Sequence, residues 1–156
     1  CGTGLCGPLL RPLARNLVGV DLSEKMLDRA RERGAYDELI AAELTGFLES
    51  GAGRYDAIVS ADTLVYFGGL ETVVGASVKA LRPGGWLVFS VEHLQGDTGA
   101  DYRLESHGRY CHSESYLRRV LETRGFENLS LAVETLRLEG GDPVIGLVVA
   151  AQAPTG

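Results

Sequence analysis

The chain opens on Gly2-x-Gly4-x-x-Gly7 and places Asp21 nineteen positions after the first glycine, at the end of the apolar run Leu17-Val18-Gly19-Val20. Glycines let a backbone approach a bulky ligand closely, and a carboxylate at that distance on a strand end accepts hydrogen bonds from two ribose hydroxyls. Alone, the loop also fits an ordinary tight turn and Asp21 a solvated acid. Their spacing favours a ligand with an adenosine-like ribose, either NAD or S-adenosylmethionine. His93 follows the apolar run Trp86 to Val91 and should emerge at the carboxyl end of a sheet, where open α/β sheets bind ligands. It is the best candidate for a general base, against the plainer role of a hydrogen bond at a strand end. Tyr110 and His112, just before a helix, either reach the same cleft or pack their loop. Tyr66, past another strand, either walls a reaction site or fills the core. Cys6 and Cys111 lack a basic neighbour that would lower a thiol pKa and read as small fillers.

Those residues need elements to hold them. Pro8 is tolerable in the first turn of a short helix after the glycines, and Pro12 ends it. Leu17 to Val20 reads as a strand buried on both faces. Ser23 is placed to cap a helix through Met26, Leu27 and Ala30 that stops at Gly34, with Glu24 early and Arg31 and Arg33 late, as the helix dipole prefers. A weaker strand, Leu39 to Ala42, leads to Glu43-Leu44, and a stronger one, Tyr55 to Ser60, ends at Ala61-Asp62. A helix follows from about Gly69 to Leu81, stopped by Arg82-Pro83-Gly84-Gly85, then the strand Trp86 to Val91. Strands alternating with helices indicate βαβ units and a parallel sheet. Ser113 should cap a last helix, Tyr116 to Arg124. The runs Phe126 to Leu138 and Val144 to Ala151 flank Gly140-Gly141-Asp142-Pro143, too tight a turn for anything but an antiparallel pair. Gln95 to Arg109 reads as an irregular loop.

Composition limits what these elements can do. The 156 residues suit a single domain, and 45% hydrophobic with 23% charged residues is close to ordinary globular usage. No stretch approaches the roughly 20 apolar residues of a transmembrane helix. A net charge of −6 lacks the basic surplus that holds a phosphodiester backbone, which disfavours nucleic acid as a partner. Three cysteines are too few for a disulfide framework and none has zinc-ligand spacing, so no metal is expected and a reducing cytoplasm is the default compartment.

Taken together, Cys1-Gly2-Thr3-Gly4, Val18-Gly19-Val20-Asp21-Leu22-Ser23-x-x-Met26-Leu27, Tyr55-Asp56-Ala57-Ile58-Val59 with Asp62-Thr63-Leu64, and Leu81-Arg82-Pro83-Gly84-Gly85 before Trp86 to Val91 resemble the class I S-adenosylmethionine-dependent methyltransferases. The likeness runs from Cys1 to about His93, and the closing hairpin is also a mark of that family. Asp62 to Gly68 and Gly108-Arg109-Tyr110-x-His112-Ser113 resemble a bacterial group within it, some of whose members carry tetratricopeptide repeats upstream. The resemblance implies a Rossmann-like α/β fold, a doubly wound and mostly parallel sheet with a C-terminal antiparallel hairpin, formed by residues 1–156 as one domain. It implies S-adenosylmethionine as cofactor. Gly2 and Gly4 would line its methionine end, Asp21 hold the ribose, Leu22 and Met26 flank the adenine, Glu43 with Leu44 meet the adenine amino group, and Ala61 offer its carbonyl to the methionine ammonium. Glu43 departs from the family's usual Asp. The family's first strand, which would precede Cys1, is not in this sequence, so the strands ending at Asp21 and Ala61 are expected to lack a central neighbour.

Methyl transfer is an in-line displacement, and positioning the nucleophile can supply about 7–11 kcal/mol where a general base adds some 3–5. An acceptor that is a small molecule or a protein side chain fits best, because the Asp/Asn-Pro-Pro-aromatic motif of nucleic-acid amino-methyltransferases is replaced by Asp62-Thr63-Leu64-Val65. Two alternatives stand beside it. A nicotinamide-dependent oxidoreductase shares the glycine loop and acid, but no tyrosine has the lysine four residues on that its short-chain form needs. A binding module that kept the fold without turnover is the other.

Overall fold

Two parallel strands and the helix between them make the first of two units in the computed structural model, which describes residues 1–96 and 99–156. In this unit, Cys1–Phe47, the glycine turn feeds α1 (Gly7–Leu10) and a 3-10 turn over Arg11–Leu13, with prolines where both begin. Strand β1 (Val18–Asp21), helix α2 (Glu24–Glu32) and strand β2 (Glu38–Ala41) follow, and β1 and β2 pair in parallel from Val18↔Glu38 to Asp21↔Ala41. Helix α2 ends on Gly34, whose φ of +62° closes the helix in the left-handed conformation. Ser23 holds the N-cap position, but its hydroxyl makes no cap bond. A helix the sequence reading does not anticipate, α3 (Leu44–Glu49), comes next.

The second unit, Leu48–Gly156, is a sheet with helices. Strand β3 (Tyr55–Ser60) runs parallel to β4 (Leu81–His93), and helix α4 (Glu71–Ala80) connects them. Strand β4 starts five residues earlier than Trp86 because Leu81, within the expected helix stop, already pairs with Tyr55. The closing hairpin, β7 (Glu127–Glu139) and β8 (Asp142–Gln152), is antiparallel as expected, and β8 also pairs antiparallel with β4. Ser113 caps α5 (Glu114–Thr123) by accepting from the Tyr116 N–H.

The expected loop over Gln95 to Arg109 contains a strand. Tyr102–Leu104 forms β5, antiparallel to β6 (Tyr110–His112), and β6 runs parallel to β4 through Glu92↔Cys111 and His93↔His112. A three-residue strand that is exposed throughout offers no hydrophobic alternation to read. Asp97 and Thr98 of that loop lie outside the described residues. One edge of β4 therefore serves two partners in turn, β3 as far as Phe89 and then β6 from Glu92.

The pleat sorts the sheet into two faces. Leu87, Phe89 and Val91 of β4 stand beside Ala151, Val149 and Leu147 of β8, all buried. Buried apolar residues of α4 (Val73, Val74, Ala76) and α5 (Tyr116, Leu117, Val120) supply the rest of that core. Trp86, Val88 and Ser90 lie on the opposite, half-open face with Gln152, Ala150 and Val148. One extra residue, Leu136, interrupts the β7–β8 ladder between Thr135↔Ile145 and Arg137↔Val144, a β-bulge.

Among the described residues β1 pairs only with β2, and β3 only with β4. No described helix is long and apolar enough to cross a membrane.

Candidate functional site

In the first unit the glycine turn and Asp21 meet directly. The Gly2 N–H donates to Asp21 Oδ2 at 2.8 Å, the Ser23 N–H donates to Oδ1 at 2.9 Å, and the Cys1 amine lies 3.4 Å from Oδ2. Burial pushes the carboxyl pKa up, the N–H bonds from Ser23 and Gly2 pull it down, and the group lies below its ordinary value. Asp21 is therefore a fixed carboxylate, and two backbone bonds leave about half of its roughly four acceptor positions free for hydroxyls.

The glycines divide their work. Gly2, at φ +56°, has nothing within 4 Å of where a Cβ would stand, so its side of the turn is open. A Cβ at Gly4 would come 2.9 Å from Ala30 Cβ, and one at Gly7 2.6 Å from Tyr36 Cε2. Gly4 and Gly7 thus serve close packing of the turn on α2 and Tyr36, while Gly2 faces free space. Beyond Asp21, Leu22 is 74% and Met26 40% exposed, two large apolar side chains that the protein covers only in part. Glu43 is spoken for by its own helix: Oε1 accepts from the Thr45 N–H at 2.9 Å and Oε2 from the Gly46 N–H at 2.7 Å, bonds that lower its pKa. The longer side chain where the family usually has Asp caps α3, which Leu44 begins.

The second unit carries the remaining candidates. Ala61 is exposed at the end of β3, and its carbonyl accepts from Thr63 Oγ1 at 3.4 Å. Tyr66 is exposed on a short 3-10 turn, Leu64–Tyr66. His93 shares the face of Leu87, Phe89 and Val91 by alternation, beside His112 in the β4–β6 ladder, and its buried Nδ1 has no hydrogen-bond partner. His112 is wholly buried: its Nε2 bonds the Gly68 carbonyl at 2.8 Å, its ring stacks on Tyr116, and burial lowers its pKa against the raising effect of that bond. Of the two roles open to it, His112 fills the packing one. Tyr110 is half-buried and meets Tyr102 edge to face, their centroids 5.9 Å apart. Cys111 is buried and bonds Glu105, and burial pushes its thiol up to about 12, consistent with an inert filler.

A cluster that the sequence reading passes over lies at the same end of β4. Glu92, its side chain 8% exposed, bonds Arg137 Nη2 and lies 3.5 Å from both Arg109 Nη1 and His107 Nε2. Arg137 also bonds Asp62 Oδ1 at 2.8 Å, and Arg109 grips both oxygens of Glu139 at 2.6 and 3.1 Å. Asp62, a non-glycine residue at φ +58°, is held in that strained conformation by Arg137 and by its own N–H donating to Ser90 Oγ at 3.0 Å. The available signal was the charged Glu92 closing an otherwise apolar strand. Among the described residues, no group of three or more His, Cys, Asp or Glu is placed to hold a metal ion.

The arrangement matches known proteins on several counts. The profile of the methyltransferase domain family covers residues 1–89, more than half of the chain. The chain is 30% identical over 132 residues to the ubiquinone biosynthesis O-methyltransferase of Bordetella avium, covering 78% of this chain and 55% of that protein. It is 31% identical over 124 residues to the same-named enzyme of Thiobacillus denitrificans, covering 72% of this chain and 53% of that one. The chain thus spans about half the length of these curated relatives. In fold it superposes on a SAM-dependent methyltransferase of Methanosarcina mazei with a TM-score of 0.77 at 16% identity, covering 100% of this chain and 90% of that one. The α/β fold is thereby Rossmann-like, as the sequence implied. The chain belongs to the methyltransferase domain family.

Proposed function

We propose that this domain binds S-adenosylmethionine and directs its methyl group to a small-molecule or protein acceptor in the cytoplasm. The observation that carries the reading is the carboxylate of Asp21, locked by the Gly2 and Ser23 N–H groups. The residues present fit the cofactor: an open glycine, a fixed ribose acceptor with free lone pairs, and the exposed Leu22 and partly exposed Met26 for a planar base. The adenine amino group is served less well, because both Glu43 oxygens already accept helix N–H groups. When bound, the cofactor supplies a methyl group activated on a sulfonium. The protein's part is to position. Gly2 and Gly4 shape the turn for the methionine end, Ala61 presents a carbonyl, and Tyr66 and Tyr110 offer rings toward an acceptor. His93, at the carboxyl end of β4 and with its Nδ1 unpartnered, is the residue assigned to take the acceptor's proton. Membership of the family and the names of the relatives support this over nicotinamide chemistry.

The deciding experiment is calorimetric titration of the full-length protein with S-adenosylhomocysteine and, separately, NADH. Micromolar affinity for the first and none for the second is expected. The reverse result overturns the reading.

A further inference from the structure

Arg109 and Arg137 are unlike the other arginines that pair on this chain's surface. Their side chains are only 21% and 20% exposed, they come from separate elements, and both engage Glu139, Arg109 through two bonds and Arg137 at 3.6 Å. Glu139 itself is 47% exposed and is the last residue of β7, directly before the turn glycines Gly140 and Gly141 at φ +60° and +95°. A carboxylate at the tip of a glycine turn can swing away at little conformational cost, whereas the two guanidiniums each keep Glu92 as a further partner. Arg137 is anchored by Asp62 and Glu92, and Arg109, in the β5–β6 turn, lies 3.5 Å from Glu92. His107 also lies 3.5 Å from Glu92.

We propose that Arg109 and Arg137 form a binding site for the carboxylate of a small acidic ligand, with Glu139 as an internal stand-in that the ligand displaces. Removing Glu139 takes from Arg109 both of its direct bonds and leaves it Glu92 at 3.5 Å, while Arg137 keeps Asp62 and Glu92; an incoming carboxylate restores the paired bonds of Arg109 beside Arg137. The opening vacated is that of one glutamate side chain, which selects a small acid over an extended acidic surface. Asp62, Ser90 and Glu92 place the pair at the carboxyl ends of β3 and β4, where open α/β sheets bind ligands. The acceptor of the methyl group is then a molecule that carries a carboxylate apart from its reacting atom. That last step rests on the methyl-transfer reading; the site does not.

Benzoate and its neutral isostere benzamide test the site by calorimetry on the full-length protein. Benzoate is expected to bind wild type weakly and Glu139→Gln about ten- to a hundredfold more tightly, the worth of a charge-assisted bond no longer in competition. Benzamide should bind neither, and Arg109→Met in the Glu139→Gln background should abolish the gain. Equal binding of benzamide, or unchanged benzoate affinity in Glu139→Gln, overturns the proposal. Tighter binding of a tetra-aspartate peptide than of benzoate also overturns it, in favour of a protein surface. If Glu139→Gln does not fold, the guanidinium NMR signals of Arg109 and Arg137 in wild type decide: benzoate must shift them, and no shift is refutation. S-adenosylhomocysteine binding, measured alongside, separates the two readings. Cofactor binding without a benzoate effect removes the acid site alone, and benzoate binding without cofactor removes methyl transfer alone.

Discussion

Arg137 and Glu92 are joined across an intervening strand, because β8 lies between β7 and β4 and the residue of β8 paired with Glu92 is Gly146. The bulge at Leu136 makes this possible. Without the extra residue Arg137 would oppose Pro143 and project to the other face; with it, Arg137 opposes Val144 and joins Glu92 and Ser90. Leu136 then lies over Gly146, where a Cβ would come 2.2 Å from its Cδ1.

Gly146→Ala should therefore push Leu136 aside and part Arg137 from Glu92. The overpacking is expected to cost about 1–3 kcal/mol. Thermal melting in parallel with Gly51→Ala, where the nearest atom is an ordinary 3.4 Å away, checks it; equal effects at the two sites would show that the crossing is not tight.

Asp21→Ala should weaken S-adenosylmethionine and S-adenosylhomocysteine alike by about 1.5–3 kcal/mol, one to two decades in affinity. Calorimetry on the full-length protein gives the answer, and unchanged affinity removes the ribose assignment.

His93→Ala should lower turnover more than cofactor affinity, since His93, its Nδ1 unpartnered, is assigned to the acceptor. With a known acceptor, undiminished turnover at saturation would retire His93 as a base.

His112 should make the fold sensitive to mild acid. Its folded pKa is depressed below 6.5 by burial, so the unfolded chain takes up its proton first. The stability this provides is complete above 6.5 and declines as pH falls from there toward the folded pKa, by at most about 1.4 kcal/mol per pH unit. Melting temperatures between pH 7.5 and 5.5 should fall for wild type and fall less for His112→Asn; identical slopes would count against it.

What could be read from the sequence was what is local. The glycine turn, the run ending at Asp21 and the Gly140-Gly141 hairpin each lie within a few residues, and their periodicity and spacing mark them. Glu43 also acts locally, but its use as a cap depended on α3, a six-residue helix with too few turns to show a periodic face. The cluster around Glu92 was hidden for another reason. Its partners lie 45 positions away at Arg137 and 17 at Arg109, and Arg137 reaches the correct face only through a bulge that alternation does not announce.

The β5–β6 hairpin is tethered to the sheet in two chemically different ways. Its ladder to β4 is two residue pairs long; beyond that ladder, the rings of Tyr102 and His112 contact Tyr116 of α5, and charged contacts join Arg109 to Glu139 and to Glu92. Added salt screens the charged contacts and leaves the rings in place. Urea reaches both. The hairpin should therefore loosen in two stages that answer to different solutes, with its arginine end becoming labile in concentrated brine while its tyrosine end still resists amide exchange.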